Sequence, residues 1–190
     1  MREPSAQALP CLLLRLALFS LVILVTMSHV VSAISARTKP EFYSEFNRQL
    51  EAILRDERDW IANLAQTSAL IMQTLPDLNW AGFYLFDGHE LVLGPFQGKV
   101  ACVRIALGKG VCGIAAVRRT SVVVPNVHEF PGHIACDNTS NSEVVVPIVW
   151  QEQLVGVLDL DSPLPHRFSE DDARGLERAV EILCACSNVP

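Results

Sequence analysis

Residues 38–76 contain no glycine and repeat their apolar side chains at helical spacing; from Asn79 onward the period drops to two. A change of that kind confines the fold to helices followed by a sheet, an α+β arrangement. Leu50, Ile53 and Leu54 form one stripe, and Ile61, Leu64, Ala65 and Ser68 begin another. The spacing predicts two helices with a break near residues 56–59, the second ended by Pro76. Residues 79–87 and 90–98 read as strands joined by a short turn at Gly88-His89. Residues 101–107 read as a third strand, 108–120 as a short helix opened by glycines, and 121–127 as a fourth strand. After a loop over 128–142, residues 143–151 and 153–161 form a tight hairpin turning at Glu152. Residues 169–187 close the chain as a helix with Ser169 as N-cap and acids in its first turn. The order predicts one α+β domain over 38–190. Its central antiparallel sheet has about six strands, with the N-terminal helices and the C-terminal helix packed on it.

The first 37 residues are of another kind. Arg2 and Arg15 precede an apolar run over residues 16–27, and Val31-Ser32-Ala33 resembles a small-residue cleavage site. That pattern reads as a secretory signal peptide. If residues 9–34 insert as one piece, with Arg15 reaching the interface, it reads instead as a membrane anchor. Residues 1–37 hold three basic side chains and one acid, so the rest of the chain carries 12 basic against 20 acidic residues. No run of Lys or Arg stands ready to neutralise phosphates, which excludes nucleic acid as the expected partner.

The body holds five cysteines, Cys102, Cys112, Cys136, Cys184 and Cys186, and Cys11 lies in the leader. An odd number argues against a fully paired disulfide framework, and no CxxC pair signals a zinc ribbon. Cys136 stands out because its neighbours Asp137, Asn138 and Thr139 are small and polar. A reactive thiol must be reachable and must ionise, and His133 with the loop's backbone donors is close enough in sequence to help. Cys102 and Cys112 are open to two readings: resolving thiols, or small hydrophobes in apolar surroundings. Cys184 and Cys186 point to different sides of a helix and read as packing groups. His128, His133 and Cys136 have metal-ligand side chains, but their spacing matches no standard zinc pattern.

Three acids complete the candidate set. Asp159 and Asp161 alternate in "VLDLD" and share one face of a strand, and Glu143 opens a strand directly after the cysteine loop. Such a pair suits a cationic ligand group, or simply faces water at the strand's end. Trp80 and Tyr84 can line an apolar wall or serve as plain core.

The segments "GPFQGKVACVRIALGKGVCG", "VVVPNVHEFPGHIACDNTSNSEVVVPIV" and "GVLDLDSP" resemble the free methionine-(R)-sulfoxide reductases, which are GAF-domain enzymes. The resemblance covers about residues 60–183, with cysteines ten and twenty-four residues apart and all three acids in place. It implies a GAF fold and the reduction of free methionine (R)-sulfoxide. Cys136 would then be the nucleophile, Cys102 the resolving cysteine, and Cys112 a further redox-active or alternative resolving thiol. Glu143 would polarise or protonate the sulfoxide, Asp159 and Asp161 would hold the substrate ammonium, and Trp80 and Tyr84 would shape the pocket. The resemblance also implies a thioredoxin-type reductant, no metal or organic cofactor, and often a homodimer. Two rival readings are a GAF module that binds a small ligand and a redox sensor whose disulfide is the signal. Location pulls both ways: the leader points to the secretory pathway or a membrane, and thioredoxin recycling points to a reducing compartment such as the cytosol.

Overall fold

The computed structural model describes residues 31–134 and 138–190. Most of the leader, with Cys11, and residues 135–137, with Cys136, lie outside the described residues. The folded unit begins at Val31. Its first residues dock on the body: Ser32 N–H donates to Gln49 Oε1 and Gln49 Nε2 donates to Ser32 O, both at 3.1 Å. Among the described residues no helix is long and apolar enough to cross a membrane.

Helix α1 spans Lys39–Leu54 and α2 spans Trp60–Thr74. Each starts at a side-chain cap, Thr38 Oγ1 accepting from Glu41 N–H at 3.3 Å and Asp59 Oδ1 from Ala62 N–H at 2.8 Å. The break between them falls where the charged residues 56–59 interrupt the apolar stripe. Strands β1 (Trp80–Phe86), β2 (Glu90–Gly98) and β3 (Arg104–Ala106) follow, then helix α3 (Gly110–Arg118) and strand β4 (Val122–Val124). A single 3-10 turn over Val127–Glu129 precedes β5 (Ser142–Trp150), β6 (Gln153–Ser162) and the closing helix α4 (Glu170–Cys186). The six strands form one antiparallel sheet in the order β3-β2-β1-β6-β5-β4. This is the α+β architecture that the change of period predicts.

Two strands are shorter than their apolar runs. Cys102 was expected inside a strand over 101–107, yet β3 begins only at Arg104. On the β2 edge Leu93 N–H still donates to Val103 O at 2.9 Å, but the next donor position is Pro95, which has no N–H. The ladder stops there, and Cys102 is left half-buried in the connecting loop. Strand β4 stops at Val124 because Pro125 follows, and Asn126 caps the 3-10 turn by accepting from His128 N–H at 3.1 Å.

The sheet separates two cores. On one face Ala81, Phe83, Val144, Val146, Leu158 and Leu160 pack against the three long helices. On the other, Trp80, Tyr84, Val145 and Val157 pack with α3 and its flanking loops. A β-bulge decides where Glu143 goes. Near the β5–β6 turn Trp150 pairs with Gln153 and Val149 with Leu154; past an irregularity at Ile148/Val149 the pairing is Ile148 with Gly156 and Glu143 with Asp161. Without that extra residue Glu143 would stand opposite Leu160, which belongs to the helix-side core. A one-residue register slip changes which side chains share a face. The bulge therefore places Glu143 beside Asp161 on the α3 side.

Helix α4 is fixed to α1 through a buried carboxylate. Asp172 accepts from Tyr43 Oη at 3.0 Å and Arg167 Nη1 at 3.2 Å, pairs with Lys39, and closes a capping box with Ser169. Gly175 lies one helical turn on, and a Cβ there would overlap the Tyr43 ring. Gly175→Ala gains about 1 kcal/mol of helix propensity. The overlap costs about 1–3 kcal/mol, and Tyr43 cannot move aside without leaving Asp172. The expected result is a lower urea midpoint than wild type; an equal or higher midpoint would contradict this packing.

Candidate active site

The α3 face of the sheet carries a row of functional groups across three strands. Trp80 on β1 is paired with Asp161 on β6, and Asp161 with Glu143 on β5. In the next same-face position Gly82 stands beside Asp159, and Asp159 beside Val145. The alternation of β6 thus delivers both aspartates to the same side, as "VLDLD" predicts. Helix α3 lies over this row and brings Cys112, and the loop after the 3-10 turn brings His133 and Ile134. Together they enclose a cleft that includes Trp80, Tyr84, Cys112, His133, Glu143, Asp159 and Asp161.

Asp159 does not face water, contrary to the plainer of its two sequence readings, while Asp161 is half-buried. Glu143 and Asp159 are each only 6% exposed. Burial, with the Asp161 charge next to it, pushes the Glu143 carboxyl well above the ordinary range. Burial and the neighbouring Glu143 do the same to Asp159. The two are hydrogen-bonded to each other, so they titrate as a pair. Asp159 lines the cleft, and its Oδ1 is buried with no hydrogen-bond partner among the described residues. His133 Nε2 lies 3.4 Å from Glu143 Oε2, and burial lowers the imidazole's pKa and raises the carboxyl's, so burial favours the neutral form of each.

Cys112 is 3% exposed, and burial with Asp159 and Glu143 close by pushes its thiol far up. It is a hydrogen-bonding thiol here and a poor nucleophile. Cys102 is disulfide-bonded, while Cys112, Cys184 and Cys186 are free thiols. Cys184 is buried at the end of α4 and Cys186 packs against the helix-side core, in line with their reading as packing groups.

The aromatic wall is a stack. The Trp80 ring lies 5.8 Å from Tyr84 at 24° and 5.4 Å from Phe96 at 14°, and its Nε1–H donates to Lys99 O at 3.2 Å. Gly82 makes the stack possible, since a Cβ there would overlap Phe96 and stand 2.8 Å from the Trp80 ring. Burial and the nearby Asp159 keep the Tyr84 hydroxyl protonated. Phe96, Gly82 and Ile134 went unremarked in the sequence, which has no local pattern to separate a wall residue from any other strand or loop residue. His128, the other histidine of the weak metal reading, is hydrogen-bonded to Asn141 Oδ1 at 2.9 Å and is not among the residues around the cleft.

Residues 50–185 match the GAF domain family. The free methionine-R-sulfoxide reductase of Escherichia coli (strain K12) is 52% identical over 142 residues, 75% of this chain and 86% of that protein. The free methionine-R-sulfoxide reductase of Saccharomyces cerevisiae is 40% identical over 153 residues, 76% of this chain and 85% of that protein. Among solved structures, free methionine-R-sulfoxide reductase from Neisseria meningitidis in complex with its substrate superposes with a TM-score of 0.80. It is 44% identical, and the match covers 83% of this chain and 95% of that one. The chain therefore belongs to the GAF-domain family and, within it, to the free methionine-R-sulfoxide reductases.

Proposed function

We propose that this chain reduces free methionine (R)-sulfoxide to methionine by thiol chemistry, and that a thioredoxin-type dithiol restores it. The observation that carries this reading is the row of buried Glu143 and Asp159 and half-buried Asp161 beside the Trp80–Tyr84 stack. An amino-acid sulfoxide has an ammonium for the aspartates, an apolar S-methyl group for the aromatic wall and a basic oxygen for a protonated carboxyl. Bringing the ammonium into the cleft adds a positive charge beside these acids, so substrate binding favours ionised Asp159 while Glu143 keeps its proton.

The reaction then runs in balanced steps. Cys136 sulfur, as thiolate, attacks the sulfoxide sulfur, and the sulfoxide oxygen takes the proton of Glu143. The hydroxyl so formed passes to Cys136, methionine leaves with two electrons gained, and Cys136 is left as a sulfenic acid. The Cys102 thiol attacks that sulfur, water departs, and a Cys102–Cys136 disulfide forms. A dithiol reductant exchanges with the disulfide and returns both thiols. The loop position of Cys102, released from the ladder at Pro95, and its engagement in a disulfide both support the resolving role. Cys112 stays a thiol whose hydrogen bond to Asp159 orients that carboxylate, which makes it a positioning group on this reading.

Asp161→Asn tests the ammonium assignment. Loss of a charged hydrogen bond is worth about 1.5–3 kcal/mol, so KM for free methionine (R)-sulfoxide rises roughly 10–100-fold with kcat nearly unchanged. The N-acetylated sulfoxide, which has no ammonium, is a poor substrate of the wild type. Equal turnover of the free and N-acetylated forms would contradict the assignment.

A further inference from the structure

Cys112, Glu143 and Asp159 offer one sulfur and two carboxylate oxygens that all lie within 4.8 Å of one another. They come from α3, β5 and β6, and the three side chains are 3%, 6% and 6% exposed. Acidic clusters are common and mean little alone. Here a second observation points to a ligand: Asp159 lines the cleft, and its Oδ1 is buried with no hydrogen-bond partner among the described residues. An unmet buried acceptor is costly, and a cation satisfies it. A fourth donor stands beside the group without being within 4.8 Å of all three atoms: His133 Nε2, at 3.4 Å from Glu143 Oε2.

Geometry and donor type agree on the kind of cation. With metal–ligand bonds of about 2.0–2.3 Å, tetrahedral ligand atoms stand roughly 3.3–3.8 Å apart. The His133–Glu143 separation already falls in that range; Cys112, Glu143 and Asp159 need to close on one another by on the order of 1 Å, and His133 has farther to come toward the other two. A set of one thiolate, one imidazole and two carboxylates is borderline-soft. It suits Zn²⁺ and its first-row neighbours and does not suit Mg²⁺ or Ca²⁺, which take oxygen alone. Binding displaces the thiol proton of Cys112, metal replacing hydrogen on sulfur with no change of oxidation state.

We propose that this cleft binds a borderline-soft divalent cation of the Zn²⁺ class through Cys112, Glu143, Asp159 and His133, in competition with the ammonium substrate, so that such metals hold the enzyme off. Competition is required because the metal takes Asp159 and consumes the protonated form of Glu143. The inhibitory consequence rests on the reductase reading above; the binding itself does not.

Cobalt is the probe. Co²⁺ is titrated into the full chain with the Cys102 disulfide left intact, so that Cys102 cannot supply the sulfur. The expected result is one equivalent bound, with tetrahedral visible bands and a thiolate-to-cobalt charge-transfer band. Zn²⁺ displaces that spectrum, and so does free methionine. Cys112→Ser removes the charge-transfer band, and Asp159→Asn, which keeps the thiol, weakens Co²⁺ binding at least about tenfold. In turnover assays Zn²⁺ raises the apparent KM and a chelator restores it. A wild-type titration without charge transfer, or a band undiminished in Cys112→Ser, overturns the proposal. The titration reads binding without catalysis, so turnover without metal binding would sink this inference alone, and metal binding without turnover would sink the reductase reading alone.

Discussion

Glu143→Gln abolishes most of the reductase activity and makes the protein more stable at neutral pH. The two effects have one cause. Glu143 is buried beside Asp161 and hydrogen-bonded to Asp159, and burial holds its carboxyl protonated well above the ordinary value of 4.5. A positioned acid of that kind is worth about 10²–10⁴ in rate, so kcat falls by that factor when an amide replaces it. If Glu143 only bound the substrate, KM would rise and kcat would hold. The wild-type kcat falls as pH rises through the raised pKa of Glu143, because the acid is then lost. For stability the sign is opposite to that of a salt-bridged carboxylate. Between the unfolded value and the raised folded value, the native state holds more protons than the unfolded chain, so stability falls as pH rises through that window. Gln does not titrate and removes this loss. The midpoint temperature of Glu143→Gln therefore exceeds wild type at neutral pH, by about 2–4 °C for each kcal/mol recovered in a domain of this size. The two proteins converge below about pH 4, where the wild-type carboxyl is protonated in both states. A variant both inactive and less stable at neutral pH would contradict the protonated-acid account.

Cys102→Ser separates the first chemical event from recycling. The nucleophile is untouched, so a burst of one methionine per chain appears on mixing with free methionine (R)-sulfoxide. Steady turnover driven by a thioredoxin system then falls to background, since the sulfenic acid has no partner within the chain. Dimedone captures that acid on the peptide containing Cys136. Cys112 does not take over, because its thiol is buried and held protonated. Multiple turnovers in Cys102→Ser at the wild-type rate would assign resolution to another thiol.

Much of this was legible in the residues. The period change at Asn79 separates helices from sheet, the alternation in "VLDLD" puts Asp159 and Asp161 on one face, and the residues flanking Cys136 mark that loop as different from core. What decides the rest is not local. Glu143 joins the aspartates only because a bulge near Ile148 and Val149 shifts the hairpin by one residue. Nothing in "VVVPIVWQEQLVGV" announces which register holds. The turn itself is made by Gln151 and Glu152 at φ of 47° and 65°, values for which Asn-Gly is the usual signal. The burial of the acids is likewise tertiary: α3 and the loop bearing His133 cover them from across the sheet face, and a strand's own sequence does not say whether its polar face is covered. The same applies to Cys102, whose apolar neighbours read as strand until Pro95 on the adjoining strand ends the ladder.

The most direct test of the central claim is steady-state turnover by the folded unit, residues 31–190, with free methionine (R)-sulfoxide and, separately, the (S) epimer, each with a thioredoxin recycling system. Consumption of reductant with the (R) epimer alone, absent in Cys136→Ser, is the result this account predicts. A folded, reduced protein that turns over neither epimer, or both equally, would contradict it.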